Sequence, residues 1–256
     1  MRVVLFLVVA GLLSGCVADV AHRAPTAPAS AMMPRPNASF DRGPALLAQL
    51  SAAAPSADPV VLGLALKART CAIRRGIATP ESRLAVIDYS RPSTQPRLWV
   101  FDLGQRRLLF GEYVAHGRGS GENFARRFSN DDGSLQSSLG MFSTAETYVG
   151  DNGYSLRMDG LEPGVNDHAR ARLLVMHGAW YVDPLLALKQ GRLGRSYGCP
   201  ALRPQVARDV IDALKQGQLL FAYYPDRQWL AKSRLLGCEP IQAAAEPVAS
   251  FHTPSN

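Results

Sequence analysis

The sequence has 256 residues, of which 47% are hydrophobic, and its 28 Lys and Arg against 21 Asp and Glu give a formal net charge of +7. This length supports one substantial domain with tails, and the positive charge favours an anionic partner such as nucleic acid, a membrane surface or a carboxylate-rich polymer. The sequence has no Lys/Arg run, RNA-binding aromatic signature or recognition-helix pattern, so we exclude nucleic acid as the partner.

The first residues, MRVVLFLVVAGLLSGC, contain a short apolar run after a positively charged start. The run is shorter than the roughly 20 apolar residues of a membrane-spanning helix, and it predicts an export signal over residues 1–15. The end of the run, LSGC, resembles the lipobox of bacterial lipoproteins, whose signal peptidase cuts before a lipidated cysteine. This resemblance implies lipidation of Cys16 and a periplasmic protein held at the outer membrane by its lipid anchor. Ordinary secretion, with cleavage a few residues further on, is the alternative.

Two segments rich in Pro, Ala and Ser lie on either side of the remaining sequence. Residues 16–42 have no apolar period and are typical of a flexible tether, and residues 239–256 have a similar composition, which predicts a disordered tail. We therefore expect one domain over residues 43–238, with its core in residues 82–224.

The domain begins with a predicted helix and continues as short apolar runs. Asp58 has the chemistry of a helix cap, Pro59 suits the first helical position and Gly76 suits the stop. A second helix is predicted from Pro204 to Gly217. Many short strands with few helices indicate a mainly β domain, either a sandwich or an open barrel with peripheral helices. The predicted strands are residues 84–89, 97–103, 107–114, 154–158, 172–177 and 218–224, with Gly104 and Gln105 in a hairpin between the second and third.

Three cysteines remain beyond the lipobox: Cys71, Cys199 and Cys238. Disulfides persist in exported proteins, and two of these residues can pair while the third stays a free thiol. We predict a Cys71–Cys238 disulfide that joins the two ends of the domain, and a disulfide that includes Cys199 is the alternative. The sequence lacks C-x-x-C and H-x-x-x-H spacings, so we expect neither a zinc site nor a cofactor.

Cys199 lies in the stretch GRSYGCPAL and is the candidate nucleophile. A cysteine attacks as the thiolate, so its site must lower the thiol pKa or supply a base. We expect backbone N–H groups around Gly198 and Cys199 to face a developing oxyanion. We also expect a helical turn after Pro200 to favour the negative charge on sulfur.

The base requires a histidine that the fold brings close to the sulfur. Of the five histidines, two lie in the tails and one in a polar stretch, which leaves His116 and His177. His177 ends the apolar run LLVMH and precedes Gly178, so a buried strand is expected to deliver its ring to a sheet edge. Each residue alone is more typical of packing than of catalysis.

The order of the two motifs changes that interpretation. The pair VMHG and the later SYGC, with SSLGMF upstream at residues 137–142, resemble the active-site signature of the murein L,D-transpeptidase catalytic domain family, often called YkuD-like. The resemblance covers roughly residues 82–224. It implies a β-sandwich-like fold and a cleft in which the two parts of the signature meet. It further implies that Cys199 is the nucleophile and His177 the general base, with oxyanion or supporting roles for Ser196 and Gly198.

The resemblance also implies the substrate. Peptide stems of peptidoglycan are the expected partners, and Gly178, Tyr154 and Tyr197 are the candidate substrate-binding residues, although a half-buried strand tyrosine is equally typical of packing. Cys199 is expected to form a thioester with the stem, which an amine of a second stem resolves as a crosslink. The alternatives are an L,D-carboxypeptidase with the same Cys-His pair and a non-catalytic murein-binding lipoprotein.

Three positions depart from the common family pattern Ser-His-Gly-Cys-(Ile/Val)-Arg. Tyr197 replaces the histidine, Pro200 replaces the β-branched residue and Ala201 replaces the arginine. The missing arginine removes a group that can hold a carboxylate, and Arg118 and Arg157 are the candidates to replace it. The glycine series GRGSG at residues 117–121 lacks the Lys-Ser/Thr of a phosphate loop, so it is expected to rim the cleft instead.

Overall fold

The computed structural model describes residues 42–79 and 82–238. The helices of these residues are α1 (Arg42–Ala53), α2 (Pro59–Arg74), α3 (Pro184–Gln190), α4 (Pro204–Leu214) and α5 (Arg227–Lys232). The strands are β1 (Arg83–Asp88), β2 (Leu98–Asp102), β3 (Arg107–Glu112), β4 (Gly140–Gly150), β5 (Gly153–Gly160), β6 (Val175–Gly178), β7 (Ala201–Leu202) and β8 (Leu219–Tyr223).

All eight strands belong to one mixed sheet in the order β3-β2-β1-β8-β4-β5-β6-β7. The β1–β8 and β6–β7 pairs are parallel, and the other pairs are antiparallel. Just beyond β3, Ala115 forms a bridge with Ala201 of β7, and its N–H donates to the Ala201 carbonyl at 2.9 Å. The two edge strands therefore meet, and the predicted strand-rich domain with a few helices is confirmed as one nearly closed sheet.

The core lies where the most apolar strands and two helices pack together. Every residue of β2 is buried, as are nearly all residues of β1 and β8. The predicted caps of α2 are present, because the Asp58 carboxylate accepts the Val60 N–H at 2.7 Å and Gly76 ends the helix with a φ of 67°. Helix α4 buries Val210, Ile211 and other apolar residues on one face, as its periodicity predicts.

The structure joins Cys71 of α2 to Cys238 in a disulfide, across 167 residues of sequence. This bond links the start and the end of the described domain. Cys199 is the free cysteine of the described residues.

Some elements differ from the sequence predictions. The run predicted as a strand from residue 172 enters the sheet only at Val175, because Leu173 has a positive φ of 56° that turns the chain. The segment after Pro200 continues into β7, and α4 begins only at Pro204. The helical turn expected next to the sulfur is therefore wrong.

No helix of the described residues is both long and apolar enough to cross a membrane. The predicted signal at residues 1–15, Cys16, nearly all of the tether and the tail 239–256 lie outside the described residues.

Candidate active site

Strands β6 and β7 bring the two halves of the sequence signature together. They run parallel, with His177 opposite Ala201 and the His177 N–H 3.4 Å from the Pro200 carbonyl oxygen. Cys199 precedes this pair, so its sulfur lies beside Val175, whose N–H is 3.4 Å from Sγ. Val175 and His177 are two residues apart on one strand, and they therefore face the same side of the sheet. The fold thus places the thiol against Val175, two residues before His177 along the same strand.

The Cys199 side chain is half-buried, and its surroundings favour the neutral thiol. Its thiol donates to the Leu173 carbonyl across 3.6 Å, a long hydrogen bond even for sulfur. Burial raises the pKa of the Cys199 thiol, while the Val175 N–H and the positive charge of Arg172 act in the opposite direction. The resting group is therefore a thiol at neutral pH, and it needs a base to become the nucleophile.

The His177 ring is held in one tautomer. Its Nδ1 is 2.9 Å from the carbonyl oxygen of Gly178, and a carbonyl only accepts, so Nδ1 carries the proton. Burial lowers the pKa of His177, which keeps the imidazole neutral at neutral pH. Within the described chain, Nε2 has no hydrogen-bond partner and is not bonded to Cys199 Sγ. Its free lone pair is the feature that a general base requires.

The nucleophile loop, residues 194–199, is closed by Ser196. The Ser196 hydroxyl donates to the Cys199 carbonyl at 2.6 Å and accepts the Gly198 N–H at 3.1 Å. Gly198 has a φ of 132°, and a Cβ there would lie 2.8 Å from Leu174 Cδ2. Only glycine fits this conformation and this contact. The Ser196 hydroxyl thus holds the nucleophile loop closed on both sides of Gly198.

The expected oxyanion role of Gly198 is not what the structure provides. Its N–H is already used by Ser196, so it is not available to a developing oxyanion. The Val175 N–H is likewise engaged, by the Cys199 sulfur at 3.4 Å.

The segment GRGSG packs against the nucleophile loop. Ser196 exchanges backbone hydrogen bonds with this segment, donating to His116 at 3.0 Å and accepting from Arg118 at 2.8 Å. A Cβ on Gly117 would lie 2.8 Å from the Cα of Gly198. This close approach requires glycine at position 117 and fixes the segment beside the nucleophile loop.

Tyr197 projects from the nucleophile loop into solvent. Its side chain is 68% exposed, and the Arg118 guanidinium lies 4.6 Å from its ring centroid in a cation–π contact. Among the described residues, Arg118 has no carboxylate partner. The positively charged Arg118 guanidinium therefore contacts Tyr197, which precedes the nucleophile by two residues in sequence.

Tyr154 and Gly178, two of the candidate substrate-binding residues, face away from this site. Ser155 pairs with His177, so the neighbouring Tyr154 points to the opposite side of the sheet. There its hydroxyl donates to Asp212 of α4 at 2.8 Å. A Cβ on Gly178 would lie 3.0 Å from the Cβ of Ala207, also in α4. The structure thus gives Gly178 a different task, which is to accept the His177 Nδ1–H.

Sequence reasoning missed Arg172 and Leu173, which flank the sulfur on the chain that enters β6. An arginine before a strand is typical of a solvated surface, and nothing in the local pattern marks these residues. The described residues contain no cluster of three or more side chains arranged to hold a metal ion.

A family model described as the L,D-transpeptidase catalytic domain matches residues 53–223, which is more than half of the chain. No curated protein matches the chain. Solved structures that resemble it include an L,D-transpeptidase from Mycobacterium smegmatis, with 15% identity and a TM-score of 0.34 over 56% of this chain and 59% of that one. Another is an L,D-transpeptidase from Stackebrandtia nassauensis, with 12% identity and a TM-score of 0.34 over 72% of this chain and 91% of that one. The chain thus spans about three fifths of the M. smegmatis structure.

Proposed function

The chain belongs to the L,D-transpeptidase catalytic domain family, and on this premise we propose that it crosslinks peptide stems of peptidoglycan through a thioester on Cys199. One observation carries the proposal. The Cys199 thiol is free and lies against the Val175 N–H, two residues before His177 on the same strand, and the neutral His177 ring has no hydrogen-bond partner at Nε2 among the described residues. Those are the parts that acyl transfer by a cysteine requires.

The first half-reaction transfers the stem to sulfur. His177 Nε2 accepts the thiol proton, and the thiolate attacks the peptide carbonyl carbon of an L-configured residue. Backbone N–H groups of the loop around Cys199 stabilise the oxyanion that forms. The C–N bond then breaks, His177 returns the proton to the departing D-residue amine, and a thioester remains.

The second half-reaction releases the enzyme. A side-chain amine of a neighbouring stem attacks the thioester carbonyl, His177 removes a proton from that amine, and the C–S bond breaks to return Cys199 as the thiol. The new amide is the crosslink. Water in place of the amine gives a trimmed stem, which is the carboxypeptidase outcome. Cysteine suits both halves because the thiolate is both a good nucleophile and a good leaving group.

Arg118 is the proposed substitute for the arginine that the family pattern places at position 201. Ala201 is fully buried and pairs with His177, so an arginine has no room there. Arg157, the other candidate, is paired with Glu146 at 3.1 Å. Arg118 instead stacks on Tyr197 beside the nucleophile, where its guanidinium edge can bind a stem carboxylate in a bidentate manner.

Defined tetrapeptide stems test the reaction directly. Incubation with purified protein, followed by mass spectrometry, is expected to give crosslinked dimers and the released D-residue. Trimmed monomers alone would identify a hydrolase, and unchanged stems together with measurable binding would identify the non-catalytic lipoprotein.

The proposed location depends on Cys16. We propose export to the periplasm and a lipid anchor in the outer membrane at this residue. Cys16→Ser is expected to move the protein from the membrane fraction to the soluble fraction, and an unchanged distribution would contradict the anchor. An unprocessed signal in the variant is recognised by its larger mass.

A further inference from the structure

The Arg172 guanidinium is bound only by neutral groups. Its two terminal nitrogens donate to four acceptors, each between 2.6 and 3.0 Å away. Nε is buried and has no partner. Among the described residues, no carboxylate forms an ion pair with Arg172. The four acceptors are the carbonyl oxygens of Ser129 and Gln136 and the hydroxyl oxygens of Ser134 and Ser138.

This cation is part of the same packed unit as the nucleophile. The Gln136 carbonyl oxygen, which accepts an Arg172 N–H at 2.8 Å, lies 2.9 Å from the position that a Cβ on Gly198 would occupy. The Ser137 hydroxyl donates to the Gly198 carbonyl at 2.9 Å. On the other side, the residue after Arg172 supplies the carbonyl that accepts the Cys199 thiol. The guanidinium therefore contacts the segment that packs on Gly198, and the backbone of Arg172 leads directly into the carbonyl that accepts the thiol.

The backbone at Leu173 is strained, and this conformation sets the position of the Leu173 carbonyl that accepts the Cys199 thiol. Leu173 has a φ of 56°, in the left-handed region that a branched side chain rarely adopts. Such a residue persists only where its surroundings hold it. The four hydrogen bonds of Arg172 fix the preceding residue, and the hydrogen bond from the Leu174 N–H to Ala169 at 2.9 Å fixes the following one.

The other groups that face the sulfur are neutral at neutral pH. Burial raises the pKa of Tyr89 and of Tyr181 to about 12, and burial lowers the pKa of His177. The carboxylates that act on Arg172 from the exposed loop are Asp131 and Asp132. Neither approaches the guanidinium as an ion pair. The charge of Arg172 is thus available to a second anion.

We propose that Arg172 is a positioning residue whose half-buried guanidinium stabilises the Cys199 thiolate and whose hydrogen bonds hold the surrounding loops in place. His177 is neutral until it takes up the thiol proton, so Arg172 supplies a permanent positive charge where burial disfavours the thiolate. Arginine suits this task because it stays protonated inside a protein. The proposal deepens the proposed function, since it concerns the same nucleophile.

Alkylation of Cys199 by iodoacetamide, followed as a function of pH, measures this effect. The full chain is used with its disulfide intact, and the Cys199 peptide is quantified by mass spectrometry so that labelling of other thiols does not interfere. For Arg172→Gln we expect the inflection of the rate to move up by about one pH unit relative to the wild type. Arg172→Lys keeps the charge and is expected to recover most of that shift, although it loses hydrogen bonds.

Arg170→Gln is the matched control, because it removes a positive charge two residues away that is paired with Asp159 and Glu146 at the surface. Its inflection is expected to equal that of the wild type. An unmoved inflection in folded Arg172→Gln, or an equal shift in Arg172→Lys and Arg172→Gln, would overturn the proposal.

A measurement with Arg172 in place covers the case in which Arg172→Gln does not fold. The rate ratio of negatively charged iodoacetate to neutral iodoacetamide is compared between Cys199 of Arg118→Gln, which lacks the exposed cation on Tyr197, and a short cysteine peptide. The proposal predicts a ratio several times larger at Cys199, and a ratio equal to or below that of the peptide contradicts it. Neither measurement uses a peptide stem, so both test the role of Arg172 even if the protein does not turn over peptidoglycan.

Discussion

His116 and His177 are both buried histidines of the same sheet region, yet only one of them can exchange a proton. His116 is fully buried, and both ring nitrogens are engaged: Nδ1 with Arg97 at 2.8 Å and Nε2 with the Gly121 carbonyl at 3.3 Å. His177 engages Nδ1 alone. The difference indicates that a ring nitrogen without a hydrogen-bond partner, rather than burial or an apolar flanking sequence, distinguishes the proposed base from a structural histidine.

The same contrast applies to the arginines that accompany the two sites. Arg97 is fully buried beside His116 and donates to the carbonyls of Val114 and Arg91 and to the His116 ring. Burial lowers the pKa of Arg97 to about 10, so it still carries its charge at neutral pH. Arg118, beside Cys199, is exposed and has no carboxylate partner in the described chain. Arg97 is committed to hydrogen bonds within the fold, whereas the Arg118 guanidinium is available to a ligand.

The largest expected effect comes from His177→Asn. The asparagine Nδ2 can still donate to the Gly178 carbonyl, but no nitrogen remains in the place of Nε2. We expect kcat/KM for stems to fall by about 10²- to 10⁴-fold, with little change in the melting temperature. His168→Asn, at an exposed ring that contacts the Asn130 carbonyl, is the control and should leave kcat/KM unchanged. A variant at 177 that retains activity would remove the distinction between the two histidines.

His116→Leu should have the opposite result. It removes the acceptor of a buried, charged Arg97 N–H, and we expect the free energy of unfolding to fall by about 2 kcal/mol. The kcat of the folded fraction should remain near that of the wild type. Chemical denaturation and active-site titration measure the two quantities separately. Loss of turnover without loss of stability would give His116 a catalytic role that its hydrogen bonds do not suggest.

The pH dependence of activity should depend on His177, and the pH dependence of stability should depend on His116. Because burial lowers the pKa of His177, the acid limb of kcat/KM should lie below pH 6.5, the ordinary value for histidine.

Burial also lowers the pKa of His116, to about 3. A group with a lowered pKa in the folded state takes up protons first in the unfolded state, so stability is full above pH 6.5 and falls as the pH decreases below it. Thermal melts should show a smaller loss of stability between pH 6 and pH 4 in His116→Leu than in the wild type.

Arg118→Gln should have the smallest effect. It removes the exposed cation beside Tyr197, and we expect KM to rise by about fivefold for stems with free carboxylates. Stems with amidated carboxylates should show little change. Arg208→Gln is a matched control, because Arg208 lies 4.5 Å from the Tyr154 ring centroid on the α4 side of the sheet. Equal changes for both stem types, or for both variants, would contradict a carboxylate site at Arg118.

The features that the sequence could predict are local ones. The caps of α2 depend on Asp58, Pro59 and Gly76, which act within one helix turn. Strands β1, β2 and β8 are apolar almost throughout because they are buried. Strand β4 escaped prediction because its second half mixes half-buried and exposed residues without clear alternation. The parallel pairing of β1 with β8 joins residues far apart in sequence, so no local pattern indicates it.

The candidate site likewise contains residues that the sequence could indicate and residues that it could not. The order of the motifs around His177 and Cys199 was sufficient to select both residues from the sequence. Arg172 could not be found, because its partners are backbone carbonyls and hydroxyls 34 to 43 residues upstream. The placement of Tyr154 on the α4 side depends on strand register, and a one-residue shift would have reversed it.

The central claim is that Cys199 carries the acyl group. Intact-protein mass spectrometry after mixing with a tetrapeptide stem tests it most directly. The wild type should gain the mass of the stem without its C-terminal D-residue, with the adduct mapped to Cys199, and Cys199→Ala should gain nothing and form no product. An adduct on another residue, or crosslinked product from Cys199→Ala, would contradict the account.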